Sequence, residues 1–108
     1  MMSNRYDLYG IAARSLEEAR TLVAEALGFS FILHESGYHC GAYYRAGALD
    51  GEHFILQKNR DEEDDEWAEP EHQGLPFLLY VNDTERGDHI EAELRKVEAI
   101  AHIRTEQV

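Results

Sequence analysis

Residues 15–28 read Ser15-Leu16-Glu17-Glu18-Ala19-Arg20-Thr21-Leu22-Val23-Ala24-Glu25-Ala26-Leu27-Gly28. The first four residues form a capping box. The Ser15 hydroxyl is placed to accept the amide of Glu18, and the Glu18 carboxylate to return the contact. Leu16, Ala19, Leu22, Val23, Ala26 and Leu27 recur at helical spacing and make one apolar stripe. Gly28 stands where a left-handed residue closes a helix. The stretch is an amphipathic helix with both ends marked. Its stripe needs a surface to lie on, and the flanking segments supply one.

Residues 6–13 come before it. Tyr6, Leu8, Gly10 and Ala12 alternate with Asp7, Tyr9, Ile11 and Ala13, so both faces are apolar enough for an internal strand. After the helix, residues 29–35 and 38–45 read as a hairpin closed by Ser36-Gly37. A two-residue loop pairs Glu35 with Tyr38, His34 with His39, Leu33 with Cys40, Phe31 with Ala42 and Phe29 with Tyr44. One face then carries Phe29, Phe31, Leu33, Cys40, Ala42 and Tyr44. The other carries Ser30, Ile32, His34, His39, Gly41, Tyr43 and Arg45, and is expected to face solvent or a partner. Residues 52–58 read as a further strand, with Phe54 and Leu56 inward and His53, Ile55 and Gln57 outward. Residues 75–81 are nearly all apolar and suit a buried strand. A second helix is expected over 86–97, on a thinner stripe of Ile90, Leu94 and Val97, and a last short strand over 99–104.

The order is βαβββ, an acidic connection, then βαβ. That order predicts the α+β class: a single mostly antiparallel sheet with two helices on one face. Residues 1–108 are read as one domain, with an acidic loop at about 60–74. A hydrophobic content of 44% is enough for a real core and excludes global disorder. Cys40 is the only cysteine, so no intrachain disulfide forms, which fits a reducing compartment. In the expected register it is a small buried core residue. No window approaches a membrane span, and residues 1–7 carry no apolar signal stretch, so a cytoplasmic protein is expected.

The charge is local. Residues 61–71 hold eight acids and no base, which is −8 of a formal net −12. The other 97 residues hold 14 acids (22 less 8) against 10 bases. Such a balance argues against direct nucleic-acid or anionic-membrane binding, which needs Lys and Arg patches. It favours a cationic partner. The candidate partner-binding residues are Asp61, Glu62, Glu63, Asp64, Asp65, Glu66, Trp67, Glu69 and Glu71, with Tyr43 from the hairpin. Carboxylates entering a basic cleft would imitate a phosphate backbone, and Trp67 would be the anchor. The plainer alternative is a solvated loop with no partner.

His34, His39 and His53 share one face in the expected register and are the only metal candidates, although their spacing is no familiar zinc signature. Glycine-rich phosphate loops, GxSxG and CxxC are absent. No catalytic residue, no cofactor and no enzymatic activity are therefore expected, and the protein is expected to be a monomer or homodimer.

Four stretches carry a resemblance. They are His34-Glu35-Ser36-Gly37-Tyr38, Gly41-Ala42-Tyr43-Tyr44-Arg45, His53-Phe54-Ile55-Leu56-Gln57-Lys58-Asn59, and Asp64-Asp65-Glu66-Trp67 ahead of Leu78-Leu79-Tyr80-Val81. With its size and charge, the chain resembles the small acidic bacterial immunity proteins of polymorphic and contact-dependent toxin systems. The resemblance implies a cytoplasmic inhibitor that binds and neutralises a cationic toxin, often a nuclease. Residues 6–59 are also similar in order to one βαβββ module of the vicinal-oxygen-chelate proteins. That implies a small-molecule binding protein or metalloenzyme acting as a dimer. The first strand here offers no His or Glu at a ligand position, and the second half is only βαβ.

Overall fold

The structure is a computed structural model and describes residues 4–36, 39–48 and 50–107. Six strands form one sheet: β1 (Arg5–Ile11), β2 (Ile32–Ser36), β3 (Gly41–Gly47), β4 (His53–Lys58), β7 (Phe77–Thr84) and β8 (Ile100–Gln107). Two-residue strands β5 (Arg60–Asp61) and β6 (Glu66–Trp67) pair apart from it. The spatial order is β2-β3-β4-β7-β1-β8, and every neighbouring pair is antiparallel. It follows that β1 and β2, with three strands between them, run parallel, as do β7 and β8 on either side of β1. Helix α1 (Leu16–Leu27) makes the first crossover and α2 (Gly87–Leu94) the second. The α+β class and the expected element order are thus the observed ones.

Helix α1 forms where its capping signals lie. Ser15 Oγ accepts from Glu18 N at 3.1 Å, and Gly28 closes the helix at φ 79°. The return arm of the box lands one residue early, with Glu18 Oε1 accepting from Arg14 N. Leu16, Ala19 and Val23 of α1 and Ile90 and Leu94 of α2 enter one core with Tyr9, Ile11, Tyr44, Phe54, Leu56, Phe77, Leu79, Val81 and Ile100. Both helices therefore cover the same face. Arg5 ties α2 to β1 by reaching Asp7, Asp88 and Glu91. Helix α2 is shorter than expected, because the chain turns after Leu94, and β8 is longer, running on to Gln107.

The hairpin register is corrected. Ile32 pairs with Arg45, Leu33 with Tyr44, His34 with Tyr43 and Glu35 with Ala42, a slide of four residues from the two-residue-loop pairing. An even slide keeps each side chain on its face. Aromatic packing accounts for it: the rings of Phe29 and Phe31 lie 4.9 and 6.3 Å from Phe54, outweighing the shortest turn. Two expectations change. Cys40 leaves the strand for the connection, at φ 61° and part-exposed, so it is not a core residue. Leu33 stays on the helix side, but at the uncovered edge, 58% exposed. Gly37 and Tyr38, read as turn and tip, lie outside the described residues.

The second face of the hairpin is expected to meet solvent or a partner, with Ile55 and Gln57 outward beside it. Ile55 and Gln57 are buried instead, at 6% and 4% exposed, alongside Leu8 and Leu78 on the same side of the sheet. What covers it is the second half of the acidic connection. Gly10 makes room for that cover, since a Cβ there would collide with the Leu75 side chain.

Candidate functional site

The acidic connection is a built structure with two parts, and Asn59 is its hinge pin. Asn59 is fully buried at the end of β4. Its Nδ2 donates to His72 O and Leu75 O, both at 2.9 Å, and its Oδ1 accepts from Glu69 N at 2.9 Å. Its backbone accepts from Ala68 N and donates to Pro76 O. One side chain thus fixes residues 69–75 over the outer face. A 3-10 turn, Pro70–His72, lies within that stretch.

Glu69 is the second tie. It accepts from the Tyr80 hydroxyl at 2.8 Å and pairs with Arg104 at 2.8 Å, linking the cover to β7 and β8. Burial pushes its carboxyl up, but the Arg104 and Tyr80 hydrogen bonds outweigh that and hold it below the ordinary value. Tyr80 is pushed up, first by burial and then by donating to Glu69. Glu69 is therefore committed inside the molecule and is less available to a partner than the exposed acids of this run. Glu71 is exposed beside it.

The first part projects. β5 and β6 pair Arg60 with Trp67 and Asp61 with Glu66, leaving residues 62–65 as the turn. Glu62, Glu63, Asp64, Asp65 and Glu66 are five consecutive exposed acids. The turn is held internally: Asp61 Oδ1 accepts from Glu63 N at 3.0 Å, Asp65 takes a left-handed φ of 54°, and Arg60 pairs with Asp65. These acids repel one another, and a single exposed ion pair offsets little of that. Trp67 is half-buried at the hairpin base. It borders a recess of ≈ 410 Å³ shared with Lys58, Arg60, Glu62, Gln73 and Pro76.

On the other flank the hairpin meets the end of the sheet. Glu35, Cys40, Gly41, Lys58, Asp61, Glu62 and Glu63 wall a recess of ≈ 430 Å³. Four carboxylates against one ammonium suit a guanidinium or ammonium group. Burial raises the Cys40 thiol, and Asp61 nearby raises it further, so the thiol is held away from the reactive thiolate form.

The histidine face does not assemble a metal centre. His34 stacks on Tyr43 at 5.6 Å, His39 lies 4.4 Å from the same ring and contacts Gln57 Oε1 at 3.1 Å, and His53 Nδ1 lies 2.8 Å from Gly51 O. The cross-strand pairing of His34 with His39 is corrected, since Tyr43 occupies that place. Among the described residues, no three His, Cys, Asp or Glu side chains group so as to hold an ion. Tyr43 projects away from the helices as expected but is only 8% exposed between the two imidazoles, so it offers an edge and not a surface.

Sequence patterning missed Asn59, Tyr80 and Arg104 as positioning residues, and Glu35 as a wall of the acidic recess. Asn59 stands next to the acidic run, but its partners are 10 to 16 residues ahead, and no local pattern predicts them. The chain matches no protein-family model and no curated protein. Among the described residues, no helix is long and apolar enough to cross a membrane.

Proposed function

We propose that this protein is an immunity protein that binds and neutralises a cationic bacterial toxin, of nuclease type, in the cytoplasm of the producing cell. The observation that carries the reading is the hairpin of residues 60–67. It holds five consecutive exposed acids on a base pinned by a buried asparagine. A tethered acidic hairpin presents carboxylates at fixed spacing, so less ordering entropy is lost on binding than with a free tail. A basic side chain of the toxin would enter the recess walled by Glu35, Asp61, Glu62 and Glu63. Trp67 would lie at the contact's centre, where burying an indole contributes most. A nuclease cleft built for phosphates is the complementary surface, and long-range attraction would speed the encounter.

The test uses the product of the gene immediately upstream. Replacing Glu62, Glu63, Asp64 and Asp65 by Gln or Asn is expected to slow association at low salt by about tenfold to a hundredfold and to flatten its salt dependence. Trp67 fluorescence is expected to shift on binding. Unchanged association at low salt would rule out the electrostatic mode.

A further inference from the structure

The two ends of the sheet differ. At one end β8 exposes Arg104, Thr105, Glu106 and Gln107, and charged side chains of this kind keep other strands away. At the other, β2 exposes Ile32 at 67% and Leu33 at 58%. Among the described residues, the only other large apolar side chain exposed is Tyr6, at 36%. Ile32 and Leu33 are consecutive in a strand, so they project from opposite faces. A helix or loop laid on one face would cover one and leave the other wet. A strand added alongside β2 covers both and takes up the backbone groups on its outer side, where β2 has no strand neighbour among the described residues.

We propose that β2 pairs antiparallel with β2 of a second copy, giving a homodimer with one continuous twelve-stranded sheet. A two-fold axis perpendicular to the sheet keeps the helices of both copies on one side and sets a residue opposite its own copy. Centred on Leu33, the pairing sets Leu33 against Leu33, Ile32 against His34, and Phe31 against Glu35. Both exposed aliphatics then gain apolar or aromatic neighbours across the seam. A centre at His34 would set Leu33 against the Glu35 carboxylate instead.

Charge singles out a second copy as the occupant. At net −12 most of the surface repels another molecule of the same chain. Beside Ile32 and Leu33 the near charges are basic instead. Arg45 pairs with Ile32, and the Arg20 guanidinium lies 5.5 Å over the ring of Tyr44, the partner of Leu33. Glu35 is the only acid within β2. The Leu33 register never opposes Glu35 to itself, and Glu35 shares the Leu33 face, the one over which Arg20 lies. Asp61, Glu62 and Glu63 share a recess with Glu35 at the far end of β2.

Sedimentation equilibrium and a cross-link test this. The full chain is expected to pass from monomer to dimer mass between micromolar and millimolar concentration. The pair Ile32→Lys and Leu33→Lys changes only exposed side chains. It is expected to remain monomeric across that range with an unchanged melting temperature. A second variant, Leu33→Cys with Cys40→Ser, is expected to form a disulfide-linked dimer under mild oxidation, because opposed residues in an antiparallel pair have Cα atoms at bridging distance. A wild-type chain that stays monomeric at millimolar concentration overturns the proposal. So does a lysine variant that dimerises as the wild type does, or a Leu33→Cys variant that fails to cross-link while the wild type dimerises. None of these outcomes depends on a toxin, so they leave the acidic hairpin's role to be judged separately.

Discussion

The sheet is covered on both faces, but by different physics. On one face two helices bring Leu16, Ala19, Val23, Ile90 and Leu94 onto a layer of aliphatic and aromatic side chains. On the other, Leu75 sits against Gly10, and polar ties fix residues 69–75: the Asn59 side chain, and Glu69 between Tyr80 and Arg104. Apolar burial is non-directional and cooperative, so the helical face holds as a unit. Hydrogen bonds are directional and few, so the polar face is precise where it is tied and separable where it is not. The hairpin extends past the end of β4, and Asn59 at its base also ties this cover. Its position is set by a handful of groups that can each be removed without breaking the main core.

The two faces are expected to separate under truncation. Leu79→Ala empties a site that is fully buried beneath the helices. It is expected to cost about 3 kcal/mol and to lower the whole unfolding transition by both circular dichroism and fluorescence. Asn59→Ala strips the partners from Glu69 N, His72 O and Leu75 O. Its cost is expected to be about 2 kcal/mol. The contrast lies in where the damage falls. Amide exchange is expected to quicken over residues 66–76 and to stay slow in β1, β4 and β7. Uniform loss of protection in Asn59→Ala would mean that the two faces form one cooperative unit.

The same contrast sets what was legible in the sequence. The helical face announces itself locally. A capping box, a stripe at helical spacing and a terminal glycine placed α1 within a residue of where it forms. The apolar run around Leu78 marked an internal strand. Alternation also assigned the right faces to residues 31–34 and 42–45, because a four-residue slide preserves them. It could not fix the register itself, which is decided by Phe29 and Phe31 reaching Phe54 across the sheet. The polar face was not legible. Eight acids in eleven residues read as solvated loop, and six of them are exposed. Nothing local distinguishes Glu69, tied to groups 11 and 35 residues away, from Glu66, which faces water.

Acid sharpens the comparison by a smaller effect. Glu69 is held below the ordinary carboxylate value by Arg104 and Tyr80 against its burial. Glu52 is lowered by its hydrogen bond from Arg86, against burial and helped by Thr84, and Glu91 by its hydrogen bond from Arg5. A carboxylate whose value is lower folded than unfolded binds fewer protons in the native state. Its contribution is complete above about 4.3, the unfolded glutamate value, and is lost as pH falls through the lowered folded value. Stability is therefore expected to fall as the solution is acidified below that point. Of the three, Glu69 alone ties down the acidic connection. Trp67, the chain's only tryptophan, sits on that segment and reports its release, whereas far-ultraviolet circular dichroism reports the helices on the opposite face. The fluorescence change is expected at higher pH than the loss of helix. Glu69→Gln keeps the size of the side chain, removes its titration and its ion pair with Arg104, and is expected to leave the segment loosened already at neutral pH, so that the early fluorescence step disappears while the helix transition stays in place. If both signals moved together in the wild type and Glu69→Gln left them unchanged, the outer cover would share the core's fate, and the hairpin would be as rigidly mounted as the helices.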